Sequence, residues 1–163
     1  MKNIQRLLIA PILLAATGLS AHFVGTAFAA DDPIDSAIKA RHGLMQLYSH
    51  YAGPMFGMAK GELDYDAALA SSLAENLNTV VNLSASRMWP QGSDNEARKG
   101  KTRAKPAIWE QGSGIGEASQ AMKDAALSAT LVAGDGLDEL RGAVKDIGQS
   151  CKGCHDDFRA KDF

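Results

Sequence analysis

Close to the C-terminus, Cys151-Lys152-Gly153-Cys154-His155 sets two thiols three residues apart, with an imidazole directly after the second. That order suits one chemistry above others. Each thiol can add to a vinyl group of a porphyrin, and the adjoining histidine can offer an axial nitrogen to the iron, which is the attachment pattern of c-type haem. Cys151 and Cys154 are the only cysteines in the chain. A structural zinc site takes four ligands, and this segment holds three. A thiol–disulfide couple is the other use of Cys-x-x-Cys, but such pairs usually follow a strand and open a helix. Here no strand pattern precedes the motif, which comes late in an apolar helical repeat. One covalent haem c is therefore expected, and a haem-free thiol-redox or metal-binding bundle is the alternative.

The segment that must carry the motif is the most regular in the chain. Leu137, Leu140, Val144, Ile147, Cys151, Cys154 and Phe158 alternate steps of three and four, a heptad seam that includes both cysteines. His155 falls just beside that seam. Three other helices are expected. The first begins at Asp32-Pro33, repeats through Ile38, Arg41, Leu44 or Met45 and Tyr48, and should break at Ala52-Gly53-Pro54. The second starts near Asp64, with Leu69, Leu73, Leu77 and Val80 as its stripe, and fades by Ser84. The third covers about 115–132, and Ala133-Gly134-Asp135-Gly136 then makes a tight link to the fourth. Residues 85–114, with Trp89, Pro90, Pro106 and Trp109, form the irregular part. Four amphipathic helices without alternating strand patterns predict an all-α fold, an antiparallel four-helix bundle with haem on its last helix.

The other end of the chain reads as an export signal. Lys2 and Arg6 precede a mostly apolar run, and Ala27-Phe28-Ala29 offers small residues for cleavage. Residues 1–29 are expected to be removed, leaving a single domain over 30–163 with no membrane span and a periplasmic location. The signal holds two of the 17 basic residues and none of the 19 acidic ones, so the remainder carries 15 − 19 = −4. An acidic balance argues against a nucleic-acid partner, and export suits covalent haem attachment.

Four segments resemble the cytochrome c′ and cytochrome c-556/c-554 group of class II c-type cytochromes. They are Arg41-His42-Gly43-Leu44-Met45-Gln46, Met58-Ala59-Lys60-Gly61 with Tyr65-Asp66-Ala67-Ala68, Pro106-Ala107-Ile108-Trp109, and Cys151 through Arg159. The last is the most specific. Cytochrome c′ is itself a standard example of the bundle architecture expected above.

The resemblance implies a role for residues far from the motif. The first helix would lay Met45 over the distal haem face, with Arg41 beside the propionates and His42, often glutamine in relatives, near them. Arg159 corresponds to an arginine near the proximal face. It also implies homodimers through the first two helices, and two modes of action. A methionine ligand closes the iron for electron transfer, whereas an open five-coordinate iron binds nitric oxide or carbon monoxide. From the residues alone, only eight positions follow His155, so a sixth ligand is sought upstream among Met45, Met55, Met58, Met88 and Met122. Methionine at helical spacing also serves as core filling, and Arg41 could instead snorkel at the core edge. Arg159 could equally complement the end of its helix. Arg98, Lys99, Lys101, Arg103 and Lys105 have no acid among them. They read as a solvated loop, as propionate partners led by Arg103 or Lys105, or as a dock for an acidic redox partner. No paired acid and base residues point to a substrate, so the chain is not expected to be an enzyme.

Overall fold

The computed structural model describes residues 32–162. The export signal read from residues 1–29 lies outside them. Four helices account for most of the described chain: α1 Pro33–Lys60, α2 Ala67–Val81, α3 Ile115–Val132 and α4 Leu137–Phe158. Each packs on its neighbour in the chain, and α4 closes on α1. The result is the expected four-helix bundle. No described helix is long and apolar enough to cross a membrane.

The helix starts follow from local chemistry. The Asp32 carboxylate accepts hydrogen bonds from the backbone N–H of Ile34 at 2.8 Å and of Asp35 at 3.4 Å, and Pro33 occupies the first turn, where it forfeits no bond. Asp66 caps α2 by accepting from Leu69 N–H at 2.9 Å. The helix therefore starts at Ala67, not near Asp64 as expected.

The expected break at Ala52-Gly53-Pro54 does not occur. α1 continues through Pro54 for 28 residues and ends at Gly61, whose φ of 77° gives the left-handed turn that closes the helix. Pro54 removes one N–H, but Ala52, Met55 and Met58 around it are buried in the main core. Their packing outweighs the lost backbone bond.

The core is small-grained. Ten of the twenty-four buried apolar residues among those described are alanine, which lets helices approach closely but limits the area removed from water. On α4 the predicted seam is realised: Leu140, Val144, Ile147 and Phe158 are buried, and Leu137, Cys151 and Cys154 are half-buried. At the α3–α4 link, a Cβ on Gly134 would stand 2.2 Å from Ser71 Oγ, so a larger residue there would force the Ser71 side chain to turn away. Tyr65 Oη donates to Ala133 O at 3.0 Å and ties the α1–α2 connection to the same turn.

Residues 82–114, between α2 and α3, are ordered by specific bonds rather than by length of helix. Short 3₁₀ turns form at Ser86–Met88 and Pro106–Trp109. Lys105 N–H donates to Phe158 O at 2.9 Å and Ala160 N–H to Arg103 O at 2.8 Å, a two-bond bridge to the end of α4. Asp94 accepts from the N–H groups of Glu96 and Ala97, each at 2.9 Å. Chiefly the Ala97 bond, with that from Glu96, holds its carboxyl below the usual value despite an opposing effect of burial. A depressed acid stabilises the fold fully above its unfolded pKa near 3.8, and that share is lost as pH falls through the lower folded value. Asp94→Ala is expected to cost about 0.5–1 kcal/mol in urea titrations at pH 7. As pH falls through the lowered value of the native carboxyl, the difference from the parent should shrink; a difference that stays constant across the acid range would reject the carboxylate as the cause.

Candidate haem site

Two apolar clusters meet at the motif. Cys151 packs at the margin of the main helical core, together with Tyr48, Tyr51 and Phe56. Cys154 packs against a second cluster of Ala104, Ile108 and Phe158, flanked by Trp89, Trp109, Ile115 and Ala118. The 82–114 segment thus supplies one wall of the site and α1 another. His155 projects from the same turn of α4 and is exposed.

The thiols do not look like a redox couple. Burial pushes both above the ordinary thiol value, and at Cys154 the neighbouring Cys151 and Asp157 add to the effect. They lie in the C-terminal half of α4, where the helix dipole opposes a thiolate. Protonated thiols against aromatic walls, with a histidine next in line, fit a porphyrin held by two thioethers. Among the described residues no group of three or more His, Cys, Asp or Glu side chains is arranged to hold a bare metal ion.

α1 faces the motif along one stretch. Tyr48 is pushed above the ordinary phenol value first by burial and then by Cys151, and both side chains pack on the same core cluster. At the other end of the stretch, Arg103 acts on both His42 and His155. Each imidazole is held below its usual value, chiefly by desolvation and then by cationic neighbours: Arg41 and Arg103 at His42, and Arg103 at His155, where Asp156 partly opposes. Met45, half-buried, lies between His42 and Tyr48 on α1, the helix that packs against α4. Tyr48 stands at i+3 from Met45 and i+7 from Arg41, a spacing that could have marked it as a site residue from the sequence alone.

Three of the other methionines are committed to the core. Met55 and Met58 are fully buried in the main core. Met122 is buried on α3, with its sulfur accepting from Ser150 Oγ at 3.2 Å. Met88 is half-buried in a 3₁₀ turn and is held through its backbone, where the Arg41 guanidinium donates to its carbonyl.

Arg41 neither snorkels nor reaches water. It is only 3% exposed. Its two terminal nitrogens donate to Met88 O at 3.3 Å, Ser93 Oγ at 3.1 Å, Ser93 O at 2.9 Å and Thr102 Oγ1 at 2.8 Å. The guanidinium carbon lies 4.3 Å from the Trp89 ring centroid. Burial lowers its pKa to about 10, so it stays charged at neutral pH.

The basic segment is also ordered. Arg98 pairs with Asp32 at 3.1 Å and with Asp35 at 3.4 Å, and Lys101 pairs with Asp35. Lys105 Nζ donates to the carbonyls of Asp156 and Asp157 at 2.9 and 3.0 Å, satisfying the end of α4. Arg103 Nη1 reaches Lys161 O at 3.4 Å. Acids absent from the loop itself are thus supplied by α1, and carbonyls by α4. His42 opens onto a hollow of about 260 Å³ that it lines with Asp35, Ile38, Lys39 and Lys101. Arg159 is exposed and extended at the end of α4, opposite Ala104.

Residues 36–159 match the family model described as Cytochrome C'. A cytochrome c-554 of Cereibacter sphaeroides is 38% identical over 79% of this chain and 84% of its own length. A cytochrome c′ of the same organism is 39% identical over 92% and 97%. A solved cytochrome c′ from Rhodobacter sphaeroides superposes with a TM-score of 0.76 at 38% identity, covering 78% of this chain and 98% of that one. A ferrous cytochrome c′ variant from Alcaligenes xylosoxidans, solved with bound NO, superposes at 0.67 with 30% identity over 78% and 97%. With a four-helix bundle, a Cys-x-x-Cys-His motif on its last helix and a family match over almost the whole described chain, this protein belongs to the cytochrome c′ family of class II c-type cytochromes and carries one covalently attached haem c.

Proposed function

We propose that this protein is a periplasmic electron carrier in which Cys151 and Cys154 hold haem c through thioethers, His155 is the proximal ligand and Met45 is the sixth. The haem supplies the one-electron iron couple, and the chain tunes its potential through axial ligands, nearby charge and burial. The observation that carries this reading is the position of Met45. It is half-buried on α1, the helix that packs against α4, while Met55, Met58 and Met122 are held in the core. Arg103, the cation that acts on both His42 and His155, is placed to favour an electron-rich edge and to raise the potential. Arg159 and His42 line the proximal and distal approaches. The protein acts as a carrier, not a catalyst, and pairs with a second copy through α1 and α2, as the family resemblance implies.

A second reading has its own support. The Alcaligenes xylosoxidans neighbour holds NO on the same fold. A side chain that covers the distal face without bonding the iron would leave this chain a five-coordinate binder of nitric oxide or carbon monoxide. Absorption spectra of the purified, haem-loaded protein separate the two. A sharp low-spin reduced spectrum that carbon monoxide leaves unchanged is expected for the carrier. A broad high-spin spectrum that shifts with carbon monoxide would establish the gas binder. Protein matured with haem but lacking a Soret band would remove both readings.

A further inference from the structure

We infer that Arg41 is a positioning residue: its buried guanidinium pins residues 88–102 against α1 and so holds the wall that faces Cys154 and the segment that presents Arg103. The inference rests on the assignment of the haem to Cys151, Cys154 and His155.

Both terminal nitrogens of Arg41 are fully used by Met88 O, Ser93 Oγ and O, and Thr102 Oγ1. Ser93 and Thr102 are themselves buried, at 0% and 1% exposure, so these bonds are not exchanged with water. The anchored segment leads on directly to the site. Trp89, stacked on Arg41, accepts from Trp109 Nε1 at 3.1 Å through its carbonyl. Trp89 and Trp109 both flank the cluster that packs on Cys154. Beyond Thr102, Arg103 O and Lys105 N–H bind the end of α4 immediately after His155. One guanidinium thus links the distal helix to the proximal turn through contacts 47 to 61 residues apart in sequence. Lysine would keep the charge, but it lacks the planar fork that serves four acceptors on two sides.

The test uses the haem-loaded protein and keeps charge and anchoring apart. Ser93→Ala/Thr102→Val retains Arg41 but removes two of its hydroxyl acceptors; Arg41→Lys and Arg41→Gln alter the residue itself. Two quantities are read for each: the reduction potential, and the rate of tryptic cleavage after Arg98, Lys99, Lys101 or Arg103. A positioning role predicts that the double variant is cleaved at least about tenfold faster, since cleavage follows the opening equilibrium. Its potential should fall, as the wall admits water and Arg103 is no longer held at the end of α4. Arg41→Lys should behave like the double variant and not rescue. A double variant with parental potential and cleavage, alongside a lowered potential in Arg41→Gln that Arg41→Lys restores, would overturn the inference in favour of a direct charge effect. Faster cleavage with an unchanged potential in every variant would overturn it too, leaving a purely structural arginine. If a variant folds poorly, Ser93→Ala alone reads the same two quantities. Absence of covalent haem in the parent would strike at the haem assignment instead and would leave the cleavage rates untouched.

Discussion

Chain carrying Cys151→Ala together with Cys154→Ala, matured alongside the parent, is expected to lose covalent haem and most of its thermal stability. The described core leans on alanine, with ten of twenty-four buried apolar residues of that type. Each alanine contributes far less buried area than leucine or phenylalanine. Truncating a single buried aromatic side chain typically costs about 3–5 kcal/mol, and a porphyrin presents more apolar area than any side chain. The wall of Trp89, Trp109, Ile108 and Phe158 would then face a gap or water. For a domain of this size, such a loss corresponds to a melting temperature lower by about 15 °C or more. Circular dichroism melts of the double variant and the haem-loaded parent make the comparison. Equal melting temperatures would mean that the bundle is self-sufficient and that the haem is only attached to it. Cys151→Ala alone, retaining one thioether, should fall between.

Met45→Ala is expected to change the iron itself. In a six-coordinate parent, loss of the thioether ligand should convert the reduced spectrum from low-spin to high-spin and open the iron to carbon monoxide. The conversion should be essentially complete, because Met55, Met58 and Met122 are held in the core and cannot substitute. The accompanying loss of stability should be about 1–2 kcal/mol, below the range for fully buried methionine, since Met45 is only half-buried. An unchanged low-spin spectrum would exclude Met45 as the ligand. In a high-spin parent the same substitution should accelerate carbon monoxide association by clearing the distal face. Spin state would then be unaltered, and the gas-binding reading would stand.

The helices were legible because their signals are local. α3 occupies the expected span, and the α4 seam is buried or half-buried at every predicted position. Asp32 and Asp66 cap where short polar side chains meet free N–H groups. Pro54 misled because a local rule was set against burial in a core shared with other helices, and burial won. The 82–114 segment was not legible for the complementary reason. It has little internal secondary structure, and its order comes from Asp32, Asp35, Arg41 and the end of α4, all distant in sequence. Its cations looked like a solvated stretch or a docking surface because no acid lies among them; the acids come from α1.

By itself, the sequence determined the covalent chemistry expected at the motif, the helix that carries it and the family to which the chain belongs. Those rest on contiguous residues and on a heptad spacing that any helix would express. Tertiary structure alone decided that Arg41 is spent on a loop, that three of the candidate methionines are core, and that the basic segment is paired with acids at the start of α1. Hydrogen bonds and burial between residues 47 to 66 positions apart have no signature in spacing or composition, because they exist only once four helices have closed around a shared core.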